Sequence, residues 1–326
     1  MLRPIRGGRL MGRFLRRYGT LAGFVLILIF FSVRLPGTFM TAQNWLNITQ
    51  QLSMLLVVAA GMTIVMVMGD FDLSVGSMAS LSGVVVAVLF SFGWPIWAAV
   101  PAALIVGLVG GLINGAMVSL VGILPFVATL ATLTIFSGAA FVVSGGRTIS
   151  GRAIPDAFGE FARGGMPLGP VSIPNLTLVA LAVFIVTWVL LEQTTFGRRL
   201  YAIGGNIEAS YLSGVPVRRL KLLAFSLTGL SAAGAGLLYA SRVASANPTQ
   251  GSGLMLNAIA AVFLGSTMSE QGEPRLLATV IGVLILGVLD NGLTQLSVDS
   301  YVRQILVGVI IVIAVAGSSL SKTARR

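Results

Sequence analysis

The chain has no cysteine and no histidine. The first absence excludes a disulfide, a thiolate nucleophile and a thiolate metal site. The second removes the usual proton shuttle and the commonest metal ligand. Charge is scarce too: 10 acids and 21 bases make up 10% of 326 residues, where an ordinary globular protein carries about 25%. So few charges cannot clothe a soluble fold of this size, which excludes a soluble enzyme, a disordered chain and a secreted scaffold. No G-x-x-x-x-G-K-[ST] is present, so the chain carries no ATP-binding loop of that type.

What is abundant is apolar: 56% of residues are hydrophobic and the mean hydropathy is +0.96. That composition defines an all-α polytopic membrane protein. Apolar runs lie at Tyr18–Val33 and near 47–68, 74–92, 95–120, 125–143, 171–191, 219–241, 253–268, 276–293 and 301–317. A span needs about 20 residues, so about ten transmembrane helices are expected within 18–317. No A-x-A-like cleavage site follows the first run, which reads as an uncleaved span behind a cytoplasmic basic arm, 1–17.

The net charge of +11 does not point to nucleic acid, because the bases sit in short clusters between apolar runs. Ten spans with both termini inside put fifteen bases in the cytoplasm: six in the arm, Arg198, Arg199, Arg218, Arg219, Lys221, Arg275, and three in a tail, 318–326. Arg34, Arg147, Arg152, Arg163, Arg242 and Arg303 remain. This is the positive-inside asymmetry. It makes 144–170 a periplasmic loop and 192–221 a cytoplasmic one.

The hexapeptide G-x-L-x-N-G occurs at Gly110–Gly115 and Gly287–Gly292. The same offset of 177 carries Gly76 onto Gly253 and Met78 onto Met255. It moves the third span onto the eighth, an odd shift that reverses orientation, so two inverted five-helix halves are expected. The alternative is that small residues simply recur at helix contacts in lipid.

Met68-Gly69-Asp70-Phe71-Asp72-Leu73-Ser74-Val75-Gly76-Ser77 interrupts two apolar runs. Ionisable residues within membrane spans are functional candidates by default, and a broken helix exposes amides and carbonyls that must line a polar cavity. Asp70, Phe71, Asp72 and Ser74 are therefore candidates for a solute path. The alternative is that Asp72 or Ser74 caps the following helix. Asn114 and Asn291 either line a path or bond across helices. Asn247, Thr249, Gln250, Ser252 and Asn257 form the polar counterpart of the Asp72 region in the second copy, with Asn247 and Asn257 as path candidates. With no base, nucleophile or metal partner in reach, Asp70 and Asp72 do not read as an enzyme pair, and no metal or cofactor is expected. In 192–221, Glu208–Leu212 reads as a short helix ended by Gly214, suited either to a partner's groove or to lipid head groups.

These motifs carry a resemblance. Gly61–Ser77 (G-M-T-I-V-M-V-M-G-D-F-D-L-S-V-G-S), Thr129–Leu133 (T-L-A-T-L), Thr194–Ala209 (T-T-F-G-R-R-L-Y-A-I-G-G-N-I-E-A), Ser213–Val217 (S-G-V-P-V) and Leu256–Val262 (L-N-A-I-A-A-V) resemble the ribose-type permease subunits of bacterial ATP-driven sugar importers. The G-D-F-D-L-S form is similar to the arabinose-type branch. The resemblance covers about 45–317. It implies a monosaccharide permease of the bacterial inner membrane, dimerising with a second permease copy, driven by a separate cytoplasmic ATPase of the ATP-binding-cassette (ABC) type and fed by a periplasmic sugar-binding protein. It also implies coupling to the ATPase through Thr195, Gly197, Arg198, Gly204, Gly205, Asn206, Glu208, Ala209, Ser210 and Gly214, where E-A-S stands for the family's E-A-A. Leu264–Pro274 departs from the glycine-rich turn of many relatives. An ion-coupled secondary transporter, or an ABC permease for a signalling furanose, nucleoside or branched-chain amino acid, remains as the alternative.

Overall fold

In hydrocarbon a backbone must satisfy its own hydrogen bonds, and the apolar runs of this chain do so as helices. The computed structural model describes residues 6–169, 171–269, 272–309 and 312. In chain order the helices are α1 (Arg6–Arg34), α2 (Ala42–Met66), α3 (Val75–Ser91), α4 (Ile96–Ala116), α5 (Pro125–Ser144), α6 (Asp156–Arg163), α7 (Asn175–Trp188), α8 (Thr195–Gly205), α9 (Ile207–Leu212), α10 (Val217–Val243), α11 (Ser252–Ser266) and α12 (Leu276–Gln295). Single π turns prolong α4 to Val121 and α7 to Gln193.

Among the described residues, six helices are long and apolar enough to cross a membrane: α2, α4 and α7 with their extensions, α5, α10 and α12. The apolar part of α1 (Gly19–Arg34), α3 and α11 are shorter. At 17 and 15 residues, α3 and α11 reach roughly 26 and 22 Å, short of a hydrocarbon core of about 30 Å. The tenth expected span, 301–317, is helical over 300–309 and at 312; the remainder, like the tail 318–326, lies outside the described residues.

The structure adds detail to three expected segments. The basic arm is helical from Arg6 and continues without a break into the first apolar run as α1. The apolar run at 171–191 starts as a strand: β2 (Gly165–Leu168) and β3 (Val171–Pro174) form an antiparallel hairpin, and α7 begins after it. Pro174, at φ −60° and ψ 140°, is extended and cannot donate to a ladder beyond it. The segment 144–170 is not a plain loop. It carries α6 and the two-residue strand β1 (Ile149–Ser150), which pairs with β4 (Ser245–Ala246) directly after α10.

The chain divides into two compact units, Thr49–Ile259 and Met1–Ile48 with Ala260–Arg326. The larger is built around α2 and α10. In its most apolar window α2 is 78% buried, and α10 is 61% buried, whereas α4, α5 and α7 turn most of theirs outward. Glycines let α4 and α10 approach to backbone contact. Gly107, Gly111 and Gly115 lie one per turn on α4; a Cβ at Gly107 would overlap Gly229 and Ala233, one at Gly111 would overlap the Phe225 carbonyl, and one at Gly115 would sit 2.8 Å from the Leu222 Cα. Gly229 and Gly236 of α10 meet α4 and Ala79 of α3 in the same way. This is small-residue packing that replaces the hydrophobic drive absent between helices in lipid.

Where α10 ends, Phe90 and Phe158 stack edge to face at 5.0 Å. Around them Val84, Ala87, Ala99, Ile154 and Leu237 seat α6 on the bundle.

In the smaller unit, Asn44 and Asn291 exchange amide hydrogen bonds at 3.1 Å, joined by Gln295. Asp290 and Arg303 pair at 2.8 Å. A Cβ at Gly292 would meet the ring of Phe31.

Candidate functional site: an interrupted helix pair and a two-helix loop

Helix α2 stops because of one glycine. Gly69 takes φ +82°, the Asp70 N–H bonds the Val65 carbonyl and the Gly69 N–H bonds the Met66 carbonyl. This is the Schellman arrangement, which needs a left-handed residue that only glycine adopts freely. Residues 67–74 then cross to α3 without helix.

The Asp70, Asp72 and Ser74 side chains of this turn are buried. Asp72 is 1% exposed. Its Oδ1 accepts from the Ser74 N–H at 2.9 Å and from Ser74 Oγ at 2.6 Å. Asn114 on α4, also 1% exposed, donates Nδ2 to Ser74 Oγ at 2.8 Å and to Asp72 Oδ2 at 3.3 Å. Its Oδ1 accepts from Thr132 Oγ1 of α5 at 2.7 Å. Thr129, one turn earlier, lies against the Phe71 carbonyl at 3.5 Å. The turn, α4 and α5 are thus knotted through Asn114. Ser74 holds the N-cap position of α3 but makes no side-chain cap bond; Asp72 serves the turn instead.

Asp70 has a different partner. Its carboxyl meets the ammonium of Lys221, in the first turns of α10, at 2.7 and 3.0 Å. Both side chains are mostly buried, at 9% and 13% exposed. The two acids therefore do not act as a pair. Asn257 is exposed on α11, and Phe71 and Asn247 are half-buried. Asn291 is bonded to Asn44 in the smaller unit.

A similar turn precedes α11. Asn247 Oδ1 accepts from the N–H and Oγ1 of Thr249, both at 2.8 Å, as Asp72 accepts from Ser74. The Gly251 N–H donates to Ser80 Oγ of α3 at 2.9 Å. Adding 177 to Val75, the first residue of α3, gives Ser252, the first residue of α11. The two asparagine and aspartate turns are offset by 175 rather than 177, so their correspondence is local and not residue for residue.

The segment 192–216 is a pair of short helices. Thr194 Oγ1 accepts from the Gly197 N–H at 3.5 Å and caps α8. Asn206 Oδ1 accepts from the Ala209 N–H at 2.9 Å and caps α9. Gly214, at φ +79°, ends α9 in a second Schellman turn, with Val215 N–H on the Ser210 carbonyl and Gly214 N–H on that of Tyr211. Gly197 is required because a Cβ there would overlap the Leu191 carbonyl. The expected helix Glu208–Leu212 is thus present, one residue longer. Thr195, Arg198, Gly204, Gly205, Asn206, Glu208, Ala209 and Gly214 are exposed; Gly197 and Ser210 are buried. Ile207, Tyr211 and Leu212 are 49%, 69% and 79% exposed, an exposed apolar group on a short helix.

Thr132, Ser80 and Gly251 were not singled out from sequence, and Lys221 was read only as a cytoplasmic base. Thr132 lies inside the T-L-A-T-L string, and Lys221 is a lone amine at the start of a span. Either was open to reading as the partner of a buried polar group.

Apolar helices, interrupted turns and a capped polar loop define a multi-pass membrane protein. A family model described as "Branched-chain amino acid transport system / permease component" matches residues 44–315, and the chain belongs to this permease family. A ribose import permease protein of Bacillus subtilis is 41% identical over 301 residues, covering 92% of each chain. A ribose import permease protein of Escherichia coli K12 is 39% identical over 89% of this chain and 90% of its own. An L-arabinose transport system permease protein of Escherichia coli K12 is 35% identical over 97% of this chain and 94% of its own. No solved structure matches.

Proposed function

We propose that this chain is the membrane permease subunit of an ABC importer that carries a monosaccharide of the pentose or hexose class across the bacterial inner membrane. The observation that carries this reading is near-full-length similarity to named ribose and arabinose permeases. The intended assembly pairs two permease copies with a cytoplasmic ATPase and a periplasmic sugar-binding protein. About ten spans in two inverted halves, with both termini cytoplasmic, would put 144–170 outside and 192–221 inside.

The exposed Ile207, Tyr211 and Leu212 support α9 as the element that enters the ATPase, since an amphipathic helix set in a groove is a common recognition mode. Thr195, Gly197, Arg198, Gly204, Gly205, Asn206, Glu208, Ala209, Ser210 and Gly214 build or border that element. The sugar path remains a proposal for Phe71, Asn247 and Asn257, whose side chains are not closed off by burial.

The test is sugar uptake into vesicles holding this chain with its co-purified ATPase and binding protein. Uptake requiring both ATP and the binding protein is expected. Uptake that survives ATP depletion and collapses with an uncoupler would replace this reading by ion-coupled transport. Glu208→Ala and Gly214→Trp are expected to depress sugar-linked ATP hydrolysis while the chain stays in the membrane. At Gly214 any side chain meets left-handed backbone, costing roughly 1–2 kcal/mol locally. Wild-type hydrolysis in both variants would remove 192–216 from the coupling path.

A further inference from the structure

We propose that the Asp70–Lys221 ion pair is the link through which motion of the 192–216 segment reaches the turn between α2 and α3. The inference rests on the importer reading and adds to it the residues that act behind the ATPase-facing helix.

Two contacts join segment and turn. Lys221 lies five residues beyond Pro216, in the first turns of α10, and holds Asp70 at 2.7 and 3.0 Å. Gly204, near the end of α8, lies so close to the Val67 carbonyl that a Cβ would overlap it. The end of α8, midway along the polar segment, and the first turns of α10 that follow the segment therefore both press on residues 67–70. From there the linkage continues. Asp72 and Ser74 are held by Asn114, which is held by Thr132. The first turns of α3 then abut the turn before α11: a Cβ on Gly76 would lie 2.7 Å from the Gly251 carbonyl, and Ser80 Oγ accepts from the Gly251 N–H. That second turn is tied through Asn247 to Thr148 at 3.0 Å, beside the β1–β4 pairing at the far end of α10. A chain of packed and hydrogen-bonded groups thus runs from one end of α10 to the other. Asp70–Lys221 is the ionic member of it. Between mostly buried partners, an ion pair ties two elements more firmly than exposed charges do.

Lys221 and Asp70 are positioning residues in this scheme and touch no substrate. Coupling is a free energy between sites, and the test measures it directly. The complex is purified from its own membrane, and ATP hydrolysis is read with and without sugar-loaded binding protein. Lys221→Met is expected to lower the stimulated-to-basal ratio about tenfold, within the range usual for coupling between sites, while the amount of co-purified ATPase is unchanged. Asp70→Asn with Lys221→Met leaves no unpaired buried charge and so preserves the fold; it should show the same loss. The reversed pair, Asp70→Lys with Lys221→Asp, should recover part of the ratio. The proposal is overturned if the neutral double variant keeps the wild-type ratio, if reversal recovers nothing over Lys221→Met, or if either variant loses the ATPase from the complex. A wild-type complex that sugar-loaded binding protein fails to stimulate would instead sink the importer reading, and this inference with it.

Discussion

Gly229→Ala is expected to destabilise the protein by about 1–3 kcal/mol, the usual cost of forcing extra atoms into a packed interface. Gly234→Ala, five residues further along α10, is expected to be neutral or stabilising. The two glycines lie on the same helix and share one helix-propensity gain, about 0.8–1.0 kcal/mol in favour of alanine. They differ in what a methyl group meets. At Gly229 it overlaps the Gly107 carbonyl and lies 2.7 Å from the Gly111 N, both backbone atoms that can move only if α4 moves. At Gly234 its nearest neighbour is the Val57 Cγ1 at 3.8 Å, an ordinary contact. Thermal unfolding of the two variants in one detergent gives the comparison directly. Equal midpoints would mean that α4 and α10 are not in backbone contact. The shift should extend to transport, since Gly111 and Asn114 share α4 and any displacement of one tilts the other.

Asn114→Leu is expected to cost about 2 kcal/mol, the usual penalty for leaving a buried polar group without its partner. The carboxyl of Asp72 would keep only Ser74, and Ser74 Oγ would lose its 2.8 Å donor. Thr132 suffers less, because its hydroxyl also reaches the Ala128 and Thr129 carbonyls at 3.2 Å. The informative variant is the double one. Asp72→Ala added to Asn114→Leu should cost less than the sum of the singles, since the second change removes the group that the first left unsatisfied. Strict additivity of the unfolding free energies would show that the two residues do not interact. Sugar uptake should fall in both singles, through displacement of the turn that begins α3. Uptake at the wild-type level in Asp72→Ala, at equal expression, would reduce Asp72 to a dispensable turn residue.

Much of the architecture was legible from the chain alone, and the reason is the solvent. Hydrocarbon forces apolar runs into helices, so the interruption expected at 68–77 is present, with its non-helical residues at 67–74. Local chemistry was legible as well. Gly214 was expected to end the short helix of the polar loop and does so in a left-handed conformation, whereas the cap that Asn206 provides for the Ala209 N–H came from the structure. Where local rules met a competing one, the reading missed. The hydropathy of 171–174 suggested a span, but hairpin pairing with 165–168 claimed those residues.

The sequence by itself determined that this is a helical membrane protein and which permease family it resembles. Only the tertiary structure decided what the polar residues do. Asp70 and Asp72 are two positions apart in the chain, yet one pairs with Lys221, 151 residues away, and the other with Asn114, 42 residues away. No periodicity encodes such choices. They are made when helices pack, because a polar group taken out of water must find whichever partner the packing brings within hydrogen-bond reach.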